Sequence, residues 1–155
     1  MVVTSMNDTE QKLKTAPVKF LIVDDDQVSV MAIKRALKKL KILNPIVEAS
    51  DGQYALDILR EEAKAENGLP PFLVTLDLNM PRMDGFEFLE AVRNDPTLHR
   101  AVIFVLSTSD TPNDIAAAYD RNIAGYIVKD DLGDSFEAAL NMIDSYARVV
   151  ELPTG

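Results

Sequence analysis

The sequence predicts an α/β fold in which a parallel, five-stranded sheet is covered by helices on both faces. Five short apolar runs, rich in β-branched residues, alternate with five segments whose apolar residues recur at helical spacing. Most of these runs are apolar throughout rather than at alternate positions, which is typical of strands buried on both sides. Strands that alternate with helices are joined by right-handed crossovers and therefore run parallel. The length of 155 residues suits one domain.

The first half of the chain holds two strand–helix pairs. "VKFLIV" (18–23) is a predicted strand, and Asp26 can cap the helix predicted over 27–41. That helix has apolar residues on one side and lysines and arginines on the other. "NPIVEA" (44–49) predicts the second strand, and the helix predicted over 52–66 ends at the turn signal "NGLPP".

The second half repeats the pattern three times. The predicted strands are "FLVTLD" (72–77), "AVIFVLS" (101–107) and "AGYIVK" (124–129). The predicted helices cover 85–94, 112–122 and 133–149, and loops with capping residues precede them. Residues 1–16 and 151–155 are predicted to be flexible tails, which leaves one domain over 17–150.

The composition excludes several classes of protein. A net charge of −9 argues against nucleic-acid binding, which needs a basic face. No apolar run approaches the roughly 20 residues that span a membrane, and the N-terminus does not resemble a signal peptide, so we expect a cytoplasmic protein without a membrane partner. With no cysteine and one histidine, neither disulfides nor a thiolate or histidine zinc site is expected.

Polar residues follow four of the predicted strands. They are Asp24 and Asp25 after the first strand, Asp77 at the end of the third, Ser107 and Thr108 at the end of the fourth, and Lys129 at the end of the fifth. Open α/β sheets bind ligands beyond the carboxyl ends of their strands. The sequence therefore predicts a site at this rim that combines carboxylates, hydroxyls and one ammonium group.

The chemistry of this rim suits a metal ion and a phosphoryl group. Neighbouring carboxylates repel each other unless one is protonated or a cation binds, and oxygen ligands favour Mg²⁺, with Mn²⁺ as a second candidate. Asp77 could then attack phosphorus to form an acyl phosphate. The metal and Lys129 would neutralise the phosphoryl oxygens, Ser107 would donate a hydrogen bond, and Asn79 could offer its backbone carbonyl to the metal.

Each rim residue also has a simpler interpretation. The acids after the first strand could cap the following helix, where negative charge is favourable. Asp77 could cap a turn, Ser107 could be a turn hydroxyl, and Lys129 could be an ordinary surface residue. Because these residues occur together at the ends of different strands, a metal and phosphoryl site is favoured over the simpler interpretations.

The segments "FLIVDDD", "LDLNMPRMDG", "VLSTS" and "GYIVK" occur in an order that resembles two-component response-regulator receiver domains. The resemblance covers residues 17–149. It implies a CheY-like, flavodoxin-like sheet with strand order 2-1-3-4-5. It also implies a signalling protein that catalyses only its own phosphorylation and dephosphorylation.

The resemblance implies a role for each residue of the rim. Asp77 would be the phosphoacceptor, Asp25 a direct Mg²⁺ ligand with Asp24 beside it, Asn79 a carbonyl ligand, Ser107 with Thr108 the switch hydroxyl, Lys129 the phosphate-pairing lysine and Tyr126 the aromatic switch. One position departs from the family, because Asp130 follows Lys129 where proline is usual, often after a cis bond. A cis bond without proline costs roughly 3 kcal/mol, so either that strain is retained or the loop differs.

The resemblance also implies partners. The donor would be a phosphohistidine on a sensor histidine kinase or a phosphotransfer protein. The stretch "VRNDPTLHRAVIFVLSTSD" is similar to single-domain regulators of bacterial phytochromes, which makes a phytochrome kinase a candidate. With no effector segment after the last helix, we expect a stand-alone receiver. Its output would be a downstream protein that reads the face formed by 112–122, 124–128 and 133–149, with Tyr126 turning inward on phosphorylation.

The last predicted helix has apolar residues beyond those of its core side. They are Met142, Tyr146, Val149 and Val150. Spare apolar residues of this kind often mark a partner surface, which predicts a homodimer. They could equally cover the edge of the protein's own sheet.

Two enzyme or carrier classes compete with this interpretation. A Mg²⁺-dependent phosphatase of the haloacid-dehalogenase type needs an acid two residues after its nucleophile, where Asn79 stands. A flavin-binding electron carrier needs a loop after the first strand that binds phosphate, where this chain has three acids.

Overall fold

Five strands alternate with five helices along residues 18–129 and 134–149, which are the parts of the chain that the computed structural model describes. The strands are β1 (Lys19–Val23), β2 (Ile46–Ala49), β3 (Phe72–Leu76), β4 (Val102–Ser107) and β5 (Gly125–Val128). The helices are α1 (Gln27–Lys39), α2 (Gly52–Ala65), α3 (Gly85–Asn94), α4 (Pro112–Tyr119) and α5 (Asp134–Val149). Every predicted element is present, whereas the predicted tails 1–16 and 151–155 lie outside the described residues.

The sheet has the order β2-β1-β3-β4-β5, and every neighbouring pair is parallel. The fold class and the strand order implied by the resemblance are therefore confirmed. Because all five strands run the same way, their carboxyl ends meet at one edge of the sheet. The register pairs Val23 of β1 with Leu76 of β3, so the residues that follow these two strands begin side by side.

Alternate residues of the strands face two separate hydrophobic cores. Leu21 and Val74 belong to the core that is completed by α2 and α3. Phe20 and Phe104 belong to the core that is completed by α1 and α5. All five residues of β3 are buried, which explains why that strand is apolar on both faces apart from Thr75.

Helix α4 ends three residues earlier than the sequence pattern predicts. The backbone N–H groups of Arg121 and Asn122 donate to carbonyls three residues back, and Asn122 has a φ of 60°. This left-handed conformation ends the helix, and asparagine adopts it more readily than most residues. The hydrophobic periodicity of the sequence could not predict this helix end, because alanines continue the apolar pattern up to the turn.

Arg93 connects three segments at the amino-terminal edge of β4. Its guanidinium donates to the carbonyls of Arg121 (2.9 Å), His99 (2.7 Å), Ala101 (2.8 Å) and Asn122 (2.8 Å). It has no ion-pair partner among the residues of 18–129 and 134–149, and burial lowers its pKa. The residue therefore stabilises the loops before β4 and β5 through carbonyl groups alone.

Arg93→Ala should lower the free energy of unfolding by about 2–4 kcal/mol, since it leaves several carbonyls without a donor. Denaturant unfolding measures this. Arg35→Ala is the matched control, because Arg35 is exposed on α1 and should change stability by less than about 0.5 kcal/mol. Equal stabilities of the two variants would show that the four bonds contribute little.

Candidate functional site

The carboxyl ends of β1 and β3 bring three carboxylates together. Asp24 and Asp25 follow β1, Asp77 follows β3, and the Asp77 backbone N–H donates to the carbonyl of Val23 (2.9 Å). One oxygen from each of the three side chains lies within 4.8 Å of the other two. The convergence predicted from the strand ends is therefore found.

Burial and the neighbouring negative charges disfavour the ionised form of the Asp77 side chain. Asp77 is only 8% exposed and Asp24 only 3%, whereas Asp25 is exposed. Burial raises the pKa of Asp77 from its ordinary 3.8 to about 6, and the negative charges of Asp24 and Asp25 act in the same direction. The Lys129 ammonium and the Asn79 backbone N–H oppose this rise. A bound cation would relieve the repulsion.

The donor set fits a hard divalent cation. All three side chains offer carboxylate oxygens, and the cluster contains no nitrogen or sulfur ligand. Mg²⁺ and Mn²⁺ prefer such oxygens and usually retain several waters, for which the exposed Asp25 leaves room. Asn79 is exposed beside the cluster, and its backbone N–H lowers the pKa of the Asp77 carboxyl group.

Lys129 reaches the cluster from the end of β5, where its backbone N–H donates to the Ser107 carbonyl (2.7 Å). Its ammonium lies 2.8 Å from Asp24 Oδ2 and 3.3 Å from Ser29 Oγ, and its side chain is only 5% exposed. Lys129 thus forms an ion pair with Asp24, while its charge also acts on Asp77. The Lys129–Asp130 bond lies outside the described residues.

Ser29 also belongs to the site, although it was not predicted from the sequence. Its hydroxyl donates to Asp26 Oδ2 (3.1 Å) and accepts from the Lys129 ammonium, so it links the cap of α1 to the site. Asp26 caps α1 as predicted and accepts from the Val28 backbone N–H. The available signal was the Asp-x-x-Ser spacing at the start of α1, which places both side chains in the first turn.

The hydroxyls at the end of β4 differ in accessibility. Ser107 is fully buried and its Oγ accepts a hydrogen bond from the Ser109 backbone N–H (3.2 Å). Thr108 is exposed. Within residues 18–129 and 134–149 the Ser107 hydroxyl donates no hydrogen bond, so its hydrogen is available to a further acceptor.

Tyr126 connects β5 to the loop between β4 and α4. Its hydroxyl donates to the Ser109 carbonyl (2.8 Å), and its ring is partly buried against the core. The Ser109 hydroxyl donates in turn to Asp114 Oδ2 (2.5 Å), at the start of α4. Tyr126 is thus packed inward, and its inward turn on phosphorylation stays a prediction. Neither Ser109 nor Asp114 was identified from the sequence as part of this connection.

The loop after β3 turns tightly because of Gly85. A Cβ atom at this position would lie 2.7 Å from the Asp77 carbonyl oxygen and 2.6 Å from Leu78 Cα. Asp84 then caps α3 by accepting from the Glu87 backbone N–H (2.9 Å). Because Gly85 has no Cβ atom, the start of α3 can lie close to the backbone of Asp77.

A buried cap on α2 contacts the same loop. Asp51 accepts from the Tyr54 backbone N–H (2.8 Å) and pairs with Arg82, and the Tyr54 bond and this pairing lower the pKa of Asp51. Arg82 has a φ of 63°, an uncommon conformation for arginine. The pairing of Asp51 with Arg82 could not be predicted from the sequence, because the two residues are 31 positions apart.

The apolar residues of α5 divide between two environments. Tyr146 packs edge-on against Phe104 of β4, with ring centroids 5.3 Å apart, so it covers this protein's own sheet. Met142 is exposed. The Val149 side chain and Val150 lie outside the described residues.

Comparisons with known proteins agree with this geometry. The family model for the response regulator receiver domain matches residues 20–141. The chain belongs to this family. Response regulator Rcp1 of Synechocystis sp. is 30% identical over 138 residues, which cover 88% of this chain and 94% of that protein. The matches do not support the haloacid-dehalogenase-type phosphatase.

Solved structures of receiver domains are similar to the whole fold. The phosphorylated cyanobacterial phytochrome response regulator RcpA is 34% identical with a TM-score of 0.77, over 89% of this chain and 99% of that one. The Mn²⁺-bound form of Rcp1 is 30% identical with a TM-score of 0.75, over 88% of this chain and 99% of that one.

Among the described residues of this receiver domain, none of the helices is both long and apolar enough to span a bilayer.

Proposed function

We propose that this receiver domain accepts a phosphoryl group on Asp77 from a phosphohistidine donor. The observation that carries the proposal is the convergence of Asp24, Asp25 and Asp77 within 4.8 Å at the carboxyl edge of the sheet. Asp25, Asp77 and the Asn79 carbonyl would hold Mg²⁺, with Asp24 in contact through water. The metal would supply positive charge to the phosphoryl oxygens, and the Mn²⁺-bound form of Rcp1 supports Mn²⁺ as a substitute.

Asp77 is suited to act as the nucleophile. With a pKa of about 6, it is mostly ionised at neutral pH and is less well solvated than a surface carboxylate. A carboxylate oxygen attacks phosphorus, the new O–P bond forms as the N–P bond breaks, and the imidazole of the donor leaves with the electron pair and takes a proton. The product is an aspartyl phosphate.

Lys129 and Ser107 would bind the transferred group. Lys129 is held 2.8 Å from Asp24, so its ammonium lies at the cluster before the phosphoryl group arrives. The buried Ser107 would donate its free hydroxyl hydrogen to one phosphoryl oxygen, and the neighbouring Thr108 stands at the exposed rim.

The same contacts offer a route from Asp77 to the surface. Ser107 accepts from the Ser109 N–H, while the carbonyl and hydroxyl of Ser109 bind Tyr126 and Asp114. Movement of Ser107 toward the phosphoryl group would shift Ser109 and alter both bonds. The face formed by α4, β5 and α5 would then differ between the two states, which is the requirement for a partner to discriminate between them. A downstream protein or a second copy, contacting Met142, would read this face.

The donor belongs to the class of sensor histidine kinases or phosphotransfer proteins. Four of the similar structures are response regulators of phytochromes, bacteriophytochromes or red-light signalling, which supports a phytochrome kinase as the donor. Transfer from such a kinase, compared with transfer from an unrelated histidine kinase, tests this narrower assignment.

The general proposal is tested by intact-mass analysis after incubation with acetyl phosphate. We expect one added phosphoryl group per chain with Mg²⁺ and none with a chelator, because the acidic cluster repels the donor until a cation binds. Equal labelling in the chelator would contradict the metal requirement. Absence of labelling under both conditions, from acetyl phosphate and from kinases, would contradict the function.

A further inference from the structure

A cavity of about 410 Å³ lies at the edge of the sheet opposite the acidic cluster. It opens beside the start of β4, whereas Ser107 marks the other end of that strand, about 16 Å away at the usual rise per residue. Four of its lining residues carry side-chain nitrogen donors, and three of these, Arg93, His99 and Arg100, have basic side chains. The volume falls within the range of small-ligand sites.

The charge of this cavity is unusual for the protein. The chain has a net charge of −9, yet every residue that lines the cavity is neutral or basic. Two other clefts in the described part of the chain each include carboxylates, Asp95 in one and Asp51, Asp57 and Glu87 in the other. The cavity therefore concentrates positive charge on an otherwise acidic molecule.

The Arg93 guanidinium is fixed and retains one donor. Of its five N–H groups, four bind carbonyls, and the fifth, on Nη2, has no partner within 18–129 and 134–149. A single remaining N–H cannot form the paired contacts by which arginine recognises a planar carboxylate. It can donate one hydrogen bond to an oxyanion that also accepts hydrogen bonds from other groups.

We propose that this cavity binds a phosphate-type oxyanion. Arg93, His99 and Arg100 would each contact a different oxygen of the tetrahedral group. Val102, Ala124 and Tyr146 also line the cavity and would contact a small organic body attached to the phosphate. The site is separate from the proposed aspartyl phosphate site, because no residue is shared between the two.

His99 provides a direct probe because it is the single histidine of the chain. Its imidazole NMR signals can be followed in untagged protein during titration with inorganic phosphate or phenyl phosphate. The titration is carried out at constant pH and ionic strength, so that changes in charge screening do not contribute to the shifts of the His99 signals. A chelator is present so that the acidic cluster does not contribute to phosphate binding. Tighter binding of phenyl phosphate would identify organic phosphates as the ligand source, whereas equal binding would identify inorganic phosphate.

Charge reversal at Arg100 tests the proposal without disturbing the carbonyl bonds of Arg93. We expect a saturable shift of the His99 signals in the wild type and an apparent Kd at least about tenfold higher in Arg100→Glu. Arg35→Glu makes the same change of net charge on α1 and should leave the Kd within about twofold. Non-saturable shifts in the wild type, or equal weakening by both substitutions, would overturn the proposal.

Discussion

Asp77→Asn should abolish the uptake of a phosphoryl group from acetyl phosphate in the presence of Mg²⁺. The amide retains the shape of the side chain but lacks the nucleophilic carboxylate oxygen and the negative charge that binds the metal. Intact-mass analysis would then show only the unmodified chain. Asp57→Asn is the matched control, because Asp57 is exposed on α2 and its substitution should leave full labelling.

Continued labelling of Asp77→Asn to the wild-type level would show that another residue accepts the phosphoryl group. Asp24 and Asp25 are the other carboxylates within reach, so peptide mapping of the labelled product would identify the acceptor.

The same substitution should stabilise the metal-free protein near neutral pH. The pKa of Asp77 is about 6 in the folded state against an ordinary 3.8, so the folded state holds its proton more tightly than the unfolded state. Asp77 therefore favours folding below pH 3.8, and this contribution is lost as the pH rises through about 6. The full difference corresponds to about 3 kcal/mol, at about 1.4 kcal/mol per pKa unit.

Urea unfolding in a chelator measures this effect. At about pH 7.5 the free energy of unfolding of Asp77→Asn should exceed that of the wild type by up to about 3 kcal/mol, and near pH 5 by about half as much. Added Mg²⁺ should reduce the gap, because a metal bound to the wild-type site relieves the same repulsion. If the variant were less stable than the wild type at both pH values, burial of the charged Asp77 carboxylate would not destabilise the protein.

The strands and the acidic rim could be predicted because both depend on local patterns. Continuous apolar runs are typical of buried parallel strands, and each polar residue of the rim stands directly after one of them. Once the strands are parallel, their carboxyl ends share an edge, which places Asp24 and Asp77 at the same rim, whereas their close approach also requires β1 and β3 to be neighbours. The strand order is different, because it came from the resemblance to receiver domains and not from the periodicity.

Contacts between distant segments could not be predicted in this way. Lys129 was expected to face a phosphoryl group, but its pairing with Asp24 joins residues 105 positions apart and depends on how the ends of β1 and β5 approach each other. The carbonyl bonds of Arg93 follow from the conformation of two loops, which no apolar pattern specifies. The inward position of Tyr126 similarly depends on the carbonyl of Ser109 in a loop.

The position of a divalent cation in crystals grown with Mn²⁺ would test directly whether the acidic cluster is a metal site. We expect an anomalous peak bonded to carboxylate oxygens of Asp25 and Asp77 and to the Asn79 carbonyl, at distances near 2.1 Å, as for similar oxygen-ligated ions. A peak at another place on the molecule, or one that lacks an Asp77 oxygen, would show that Asp77 does not ligate the metal.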